Sequence, residues 1–283
     1  MNLEMMILPE LSDSQFARIA SFIQTNVGIK MPEEKHKMVQ SRLTSRIKAL
    51  HFTTFDEYLE FVFSNTPQGQ EEIAKMINAI TTNLTNFFRE KPHFDYLKST
   101  VLPEFAKKDL HHVEFWSAGC SSGQEPYTLA IVMSEFMRKH PGKFRDFSVL
   151  ATDISSRMLD KAIDAVYPIN EIDSLPFDLK KRYFLKSRNE KDKLCRVNKT
   201  TRDKISFKRL NFMDETYPIS SPKNVIFCRN VLIYFDKKTQ EKVIRKIIEH
   251  LTPGGYLFLG HSETIFGMDL PLTNVGPTTF KKE

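Results

Sequence analysis

The rhythm of apolar and polar positions changes once along this chain, near residue 113. Before that point apolar residues recur every three or four positions, the period of helices packed on one face. Ser12 and Ser14 open a first helical segment that ends near Gly28. Lys35–Leu50 is a second amphipathic run, and Thr54–Ser64 a third, with Phe55, Tyr58, Leu59 and Val62 at helical spacing. Gln68–Thr81 is a fourth. Residues 82–92 then mix polar and apolar side chains without a period and read as a linker. A further helix, His93–Lys107, leads to a first strand at Val113.

Beyond residue 113 short apolar runs alternate with amphipathic ones. After the first strand comes a helix, Gln124–His140. Strand Phe147–Thr152 ends in Asp153, and helix Ser155–Val166 has Ser155 or Ser156 as its N-cap. Val225–Cys228 reads as a buried strand, and Lys237–Leu251 as a helix with Val243, Ile244, Ile247, Ile248 and Leu251 on one face. Pro253-Gly254-Gly255 turns the chain into strand Tyr256–Gly260, and Pro277–Lys282 is expected as the last edge strand. Such alternation with short loops predicts an α/β fold, a doubly wound and mostly parallel sheet over residues 93–283, preceded by a helical N-terminal domain over residues 1–81. Between Tyr167 and Asn211 the rhythm breaks. A short helix, Pro176–Tyr183, and two β-like runs, Lys193–Val197 and Lys204–Arg209, predict a small antiparallel β insertion at about residues 176–210.

Composition adds limits. With 283 residues and 41% hydrophobic content, the chain has material for one large or two unequal domains. It holds no run of about 18 apolar residues, and Met-Asn-Leu-Glu-Met-Met lacks a basic leader, so neither a membrane span nor a signal peptide is expected. Three separated cysteines, Cys120, Cys195 and Cys228, form neither a disulfide framework nor a metal-ligand cluster. A cytoplasmic protein without a bound metal is the expectation.

Charge is uneven. Residues 1–90 carry nine Lys/Arg against eleven Asp/Glu, whereas residues 177–210 carry thirteen against four. That local excess of nine exceeds the net charge of +6 for the whole chain. The insertion is therefore either a solvated polar hairpin or a surface for an acidic partner.

Candidate chemistry collects where strands end. Val113-Glu-Phe-Trp-Ser-Ala-Gly-Cys-Ser-Ser-Gly-Gln-Glu-Pro-Tyr127 runs from strand through a small-residue turn into a helix with Glu125 in its first turn. Strand, loop and helix N-terminus are the parts with which α/β proteins bring backbone N–H groups to a nucleotide-like ligand, tight packing of a glycine-containing turn being the other reading. The spacing is neither a phosphate loop nor Gly-x-Gly-x-x-Gly, which favours a ligand without a phosphate chain, such as S-adenosylmethionine. Asp153 is placed to accept from both ribose hydroxyls or else to cap a helix. Asn211, before Phe212, and Asn230, after Arg229, suit an adenine edge or an amino-acid moiety, or simple turn chemistry.

At these residues the chain resembles the bacterial chemotaxis receptor methyltransferases of the CheR family, S-adenosylmethionine-dependent protein-glutamate O-methyltransferases. The resemblance covers about residues 11 to 280. It is carried by Thr82–Glu90, Trp116–Tyr127, Thr152-Asp153-Ile154-Ser155, Asn224–Asp236 and Leu251-Thr252-Pro253-Gly254-Gly255-Tyr256. It implies that Asn83, Thr85 and Arg89 approach the cofactor from the linker at its methionine end. It also implies that Gly119 lies in the cofactor loop, Glu125 faces the methionine ammonium and Asp153 holds the ribose. Asn211 and Phe212 then flank the adenine, Arg229 and Asn230 line the cofactor side, and Arg89 and Tyr234 lie beside the transferable methyl group. An aromatic plug under the sheet edge is the other reading of Tyr234.

On a helix from Lys35 to Leu50, Lys35, Arg42 and Arg46 share one stripe beside the apolar face of Val39, Leu43, Ile47 and Leu50. The resemblance makes this basic stripe the grip on acidic receptor helices; the plainer reading is a solvated helix face. The expected partner is the cytoplasmic helical region of chemoreceptors, with peripheral contact to receptor arrays or an anionic membrane through the basic insertion. A monomer is expected, and no nucleic acid: Asn230-Val231-Leu232-Ile233-Tyr234 lacks the Asn/Asp-Pro-Pro-Tyr/Phe pattern of base methyltransferases. One departure is visible. Family members that bind a tethering peptide carry glycines in the hairpin loop, and Leu185–Lys193 has none. Methylation of another substrate, or cofactor sensing without catalysis, are the alternatives; sensing requires neither Arg89 nor Tyr234.

Overall fold

The computed structural model describes residues 10–108 and 110–283; the Met-Asn-Leu-Glu-Met-Met start, where no signal peptide is expected, lies outside them. Contacts divide the chain into two compact units, one reaching to Thr82 and including Tyr234–Asp236, the other comprising Asn83–Ile233 and Lys237–Glu283.

The first unit is helical. Helix α1 (Asp13–Val27) starts at a capping box in which Ser12 accepts from the Gln15 backbone and the Gln15 side chain accepts from the Ser12 backbone; Gly28 ends it at φ 78°. A 3₁₀ turn, Glu33–Lys35, leads into α2 (His36–Ala49). Thr54 and Glu57 form the same box at the head of α3 (Phe55–Val62), and Thr66 caps α4 (Pro67–Ile80). Ile19, Val39, Leu43, Ile47, Phe55 and Tyr58 are all buried in this unit.

The second unit begins with the linker and a helix that carries a π-helical stretch. The helix expected over His93–Lys107 is present from Lys91 to Lys107, as α5 (Lys91–Tyr96), a π-helical stretch (Leu97–Val101) and α6 (Leu102–Lys107) in direct succession. Pro103 accounts for the π-helical stretch: it has no N–H to continue the ladder, and its ring crowds the preceding turn. There follow β1 (His112–Ala118), α7 (Gln124–Lys139), β2 (Asp146–Asp153), α8 (Ser156–Asp164), β3 (Val166–Pro168), α9 (Phe177–Tyr183), β4 (Phe184–Lys186), β5 (Leu194–Val197), α10 (Lys199–Arg202), β6 (Ile205–Arg209), β7 (Lys223–Cys228), α11 (Lys237–Glu249), β8 (Leu251–Leu259), β9 (Leu272–Gly276) and β10 (Thr279–Lys282).

The main sheet has seven strands in the order β6-β2-β1-β7-β8-β10-β9. The first five run parallel, while β10 is antiparallel to both β8 and β9. Fully buried Phe115, Trp116, Phe227 and Phe258 occupy its centre. No helix among the described residues is long and apolar enough to cross a membrane.

Several expectations change. Lys204–Arg209 does not belong to the insertion: β6 pairs in parallel with β2, from Val149↔Ile205 to Asp153↔Arg209, and forms an edge of the main sheet. The antiparallel insertion is β3-β5-β4 instead, so it begins before residue 176. Finally, Pro277–Lys282 is not the edge. β9 lies outside β10, and Leu272-Thr-Asn-Val-Gly276 is too short and too polar to announce itself as a strand. Pro253-Gly254-Gly255 sits within an irregularity of β8, where the register against β7 jumps from Lys223↔Leu251 to Val225↔Tyr256.

Candidate active site

The ends of β1, β2 and β7 carry the second unit's polar cluster. After β1 the chain enters a tight loop in which Gly119 and Gly123 have φ of 90° and 96°. A Cβ on Gly119 would lie 2.4 Å from a Val231 methyl, so both the angle and the space demand glycine. The Gly119 and Cys120 N–H groups donate to the Thr152 carbonyl at 2.8 and 2.9 Å, which binds the loop to the end of β2.

Asp153 fastens the same loop. Its Oδ2 accepts from the Ser121 N–H at 2.8 Å and its Oδ1 from the Ser155 N–H at 2.9 Å. Ser155 itself caps α8. Asp153 therefore performs turn chemistry while keeping acceptor capacity, because an ionised carboxylate offers about four lone-pair sites. Burial raises its pKa above the usual aspartate value, opposed by the Ser155 and Ser121 N–H groups. Ser121 Oγ donates to the Asn83 carbonyl at 3.0 Å, and the Phe88 N–H donates to Thr128 Oγ1 on α7 at 3.2 Å, so the linker is sewn to the loop and helix.

Glu125 and Arg229 are both buried. Glu125 Oε1 accepts from Ser117 Oγ at 2.7 Å, and Oε2 accepts from Arg229 Nε at 2.8 Å. Both terminal nitrogens of Arg229 donate to the Arg89 carbonyl at 2.8 Å, and one also reaches His93 Nδ1 at 3.1 Å. The guanidinium lies over the rings of Phe94 and Phe227. Arg89 turns its own guanidinium back to the Leu84 carbonyl at 2.7 Å. Asn230, at φ 58°, donates through Nδ2 to Glu90 Oε1 at 3.1 Å. Asn211 closes an Asx turn on the Met213 N–H at 3.0 Å, and the Phe212 carbonyl accepts from Tyr217 and Lys246. Asn83 and Thr85 are partly buried in the linker.

Glu90, His93 and His261 place ligand-type atoms within 4.8 Å of one another. The Arg229 guanidinium shares that space, 3.5 Å from Glu90 Oε2, and His93 Nε2 pairs with Thr278. A divalent cation there would meet a fixed positive charge.

In the helical unit, Tyr234 and Lys35 come together: Lys35 Nζ lies 5.7 Å from the Tyr234 ring centroid, and the Lys30 N–H donates to the Tyr234 carbonyl at 2.8 Å. Burial, then the charge of Arg42, lowers the Lys35 pKa. The remaining cations of the stripe have structural partners. Arg42 donates to the Ile80 and Thr81 carbonyls at the end of α4, and Arg46 makes a two-pronged pair with buried Glu72 at 2.8 and 2.6 Å. The stripe is thus not three free charges: Arg46 faces a carboxylate that periodicity alone had not linked to it. Sequence reasoning also missed Ser117, Ser121, His93, Lys246 and Glu263, whose roles depend on loops meeting across the fold.

The donor set fits S-adenosylmethionine: a loop whose two glycines admit no Cβ, a carboxylate at a strand end, and a second carboxylate at a helix start. Comparison with known proteins agrees. Residues 83–280 match the CheR methyltransferase S-adenosylmethionine-binding domain, and residues 14–81 its all-alpha domain. A chemotaxis protein methyltransferase of Borreliella burgdorferi is 38% identical over 276 residues, covering 96% of this chain and 95% of that one. Those of Salmonella typhimurium and Escherichia coli are 36% and 35% identical over 270 residues, each covering 95% of this chain and 90% and 91% of their own. The chain belongs to the CheR family of S-adenosylmethionine-binding methyltransferases.

Proposed function

We propose that this methyltransferase esterifies glutamate side chains of chemoreceptor proteins. The observation that carries the reading is the pairing of Tyr234 with Lys35, a cationic environment for an incoming carboxylate. The names of the relatives, chemotaxis protein methyltransferases, support the partner.

S-adenosylmethionine, when bound, supplies an electrophilic methyl group on a sulfonium. Gly119, Asp153, Asn211, Phe212, Asn83, Thr85, Glu125, Arg229 and Asn230 are its binding set. Asp153 takes the ribose, and Glu125 takes the ammonium on the acceptor capacity left by Ser117 and Arg229. A glutamate with a pKa of about 4.3 is already an anion at neutral pH, so no general base is needed. The protein's work is to orient that carboxylate and strip its water, since a hydrated carboxylate is a weak nucleophile. Arg89 holds one carboxylate oxygen while the other attacks; Tyr234 is the second catalytic residue, and Lys35 is a receptor-binding residue of the helical unit. Arg42 adds positive potential; Arg46 serves by fixing α2 through Glu72.

The test is incubation with methyl-labelled S-adenosylmethionine and receptor cytoplasmic fragments. Base-labile label on the receptor is expected, and Arg89→Ala should cut turnover far more than Lys191→Ala in the exposed hairpin. Base-stable label, or label on nucleic acid, would overturn the reading.

A further inference from the structure

The loop after β8 carries a carboxylate whose partners among the described residues are all backbone. Glu263 is 5% exposed. Its Oε1 accepts from the Val231 and Leu232 N–H groups, each at 2.7 Å. Its Oε2 accepts from the Asn230 N–H at 2.9 Å and from the Gly260 N–H at 2.5 Å. Three successive N–H groups aimed at one anion form a backbone nest, here filled by the protein's own side chain. The buried charge is tolerated because four charge-assisted hydrogen bonds replace its water.

The nest lies at the turn that follows Arg229. Asn230 holds a left-handed φ of 58°, a conformation costly for most side chains and easiest for asparagine. Convergence of the next two N–H groups on Glu263 offsets that cost. The two loops also abut: a Cβ on Gly260 would lie 2.8 Å from the Asn230 nitrogen and 2.9 Å from Glu263 Oε2. A second tie runs beside the first, since Glu90 Oε1 accepts from Asn230 Nδ2 at 3.1 Å and from the His261 N–H at 3.3 Å. The path of Asn230–Leu232 is therefore set by the β8 loop, and with it the direction in which Arg229 leaves β7 towards Glu125.

We propose that Glu263 is a positioning residue for methyl transfer, an internal anion that shapes the Asn230–Leu232 turn and so holds Arg229 and Asn230 in their cofactor-binding geometry. The inference rests on the reading of those two residues as part of the cofactor site. A carboxylate is required because it accepts on both sides. The glutamine amide keeps one acceptor and turns an NH₂ group towards N–H donors on the other.

The experiment is calorimetric binding of S-adenosylhomocysteine to the full chain, alongside melting curves; no receptor is needed. Glu263→Gln should remain folded at 25 °C yet bind about tenfold or more weakly. Glu104→Gln is the comparison, a carboxylate in the same unit that pairs with Lys108, Lys281 and Tyr256, away from the turn. It should lower the melting temperature with affinity unchanged. Binding by Glu263→Gln within twofold of the parent, or lost only in step with the unfolded fraction, overturns the proposal. If Glu263→Gln does not fold, Glu263→Asp carries the test: charge kept, reach one methylene shorter, affinity several-fold weaker, with parent-like affinity as the refuting result. Asp153→Asn separates the two levels. If it abolishes binding while Glu263→Gln does not, only the clamp fails; if it too leaves binding intact, the cofactor-site reading fails.

Discussion

Arg229 meets Glu125 from the side, its Nε donating to Oε2 at 2.8 Å while both terminal nitrogens turn away to the Arg89 carbonyl. One guanidinium thus joins β7, the start of α7 and the linker. Lysine keeps the charge but not this fork. Arg229→Lys should therefore weaken S-adenosylhomocysteine binding at least tenfold by calorimetry. Arg229→Met should in addition destabilise the chain by about 3–5 kcal/mol in denaturant titrations, because Glu125 is left buried and unpaired. Adding Glu125→Gln should recover part of that loss. Full additivity of the two substitutions would show that the pair is not coupled.

Arg46 and Lys35 lie on one helical stripe in the sequence but have different jobs. Glu72 is 2% exposed and accepts from both prongs of Arg46 and from the Tyr58 hydroxyl at 3.2 Å. Arg46→Ala should cost about 3–5 kcal/mol of stability in the helical unit. Lys35→Ala should change stability by no more than about 0.5 kcal/mol and raise KM for receptor fragments. Melting curves and methylation kinetics on both variants decide it. An Arg46→Ala protein with parent stability and a raised KM would reverse the assignment.

His93 supplies a pH dependence. It is buried, and burial followed by the neighbouring Arg229 charge pushes its pKa down to about 4, with Glu90 pulling the other way and His261 adding to the depression. The unfolded imidazole titrates near about 6.5. Above that pH neither state binds the proton. Between about 6.5 and 4 the unfolded chain takes it up and the folded chain does not, so stability declines as pH falls through this window. Urea titrations at pH 7, 6 and 5 should show the decline, and His93→Gln should flatten it. An unchanged slope in the variant would assign the dependence to other groups.

What the sequence disclosed and what it hid follow from the range of the interactions. Ser12 with Gln15 and Thr54 with Glu57 are capping boxes closed within three residues, so the starts of α1 and α3 are local information. The φ angles of Gly119 and Gly123 are equally local, whereas the Val231 methyl that also bars a Cβ at Gly119 is not. Strand membership is not local. Ile205–Arg209 looks the same whether it pairs with a hairpin or with β2, and only register decides. Polar partnerships are the least legible. Glu263 acts on residues 31 to 33 positions earlier, and Arg46 finds Glu72 26 positions later. No periodicity connects such pairs, whereas a motif such as Arg229-Asn230 marks one side of them.

Lys246 is another such case. Its ammonium leaves α11 to donate to the Phe212 carbonyl at 2.8 Å and the Asp214 carbonyl at 2.6 Å, and it lies 4.7 Å from the Tyr217 ring centroid. Tyr217 donates to the same Phe212 carbonyl at 2.9 Å. Burial lowers the Lys246 pKa below the usual lysine value, but its two carbonyls are best served by the charged form. Lys246 and Tyr217 therefore fix the segment that carries Asn211 and Phe212, at the adenine end of the proposed site. Lys246→Met keeps the stem and removes the donor, leaving two carbonyls without their shared partner. The expected result is a KM for S-adenosylmethionine raised about tenfold, with kcat at saturation within twofold of the parent, because the loss falls on binding common to ground and transition states. Lys246→Arg should recover most of the affinity. A fall in kcat with KM unchanged would place Lys246 in the chemistry of transfer and sink its role as an anchor for the adenine loop.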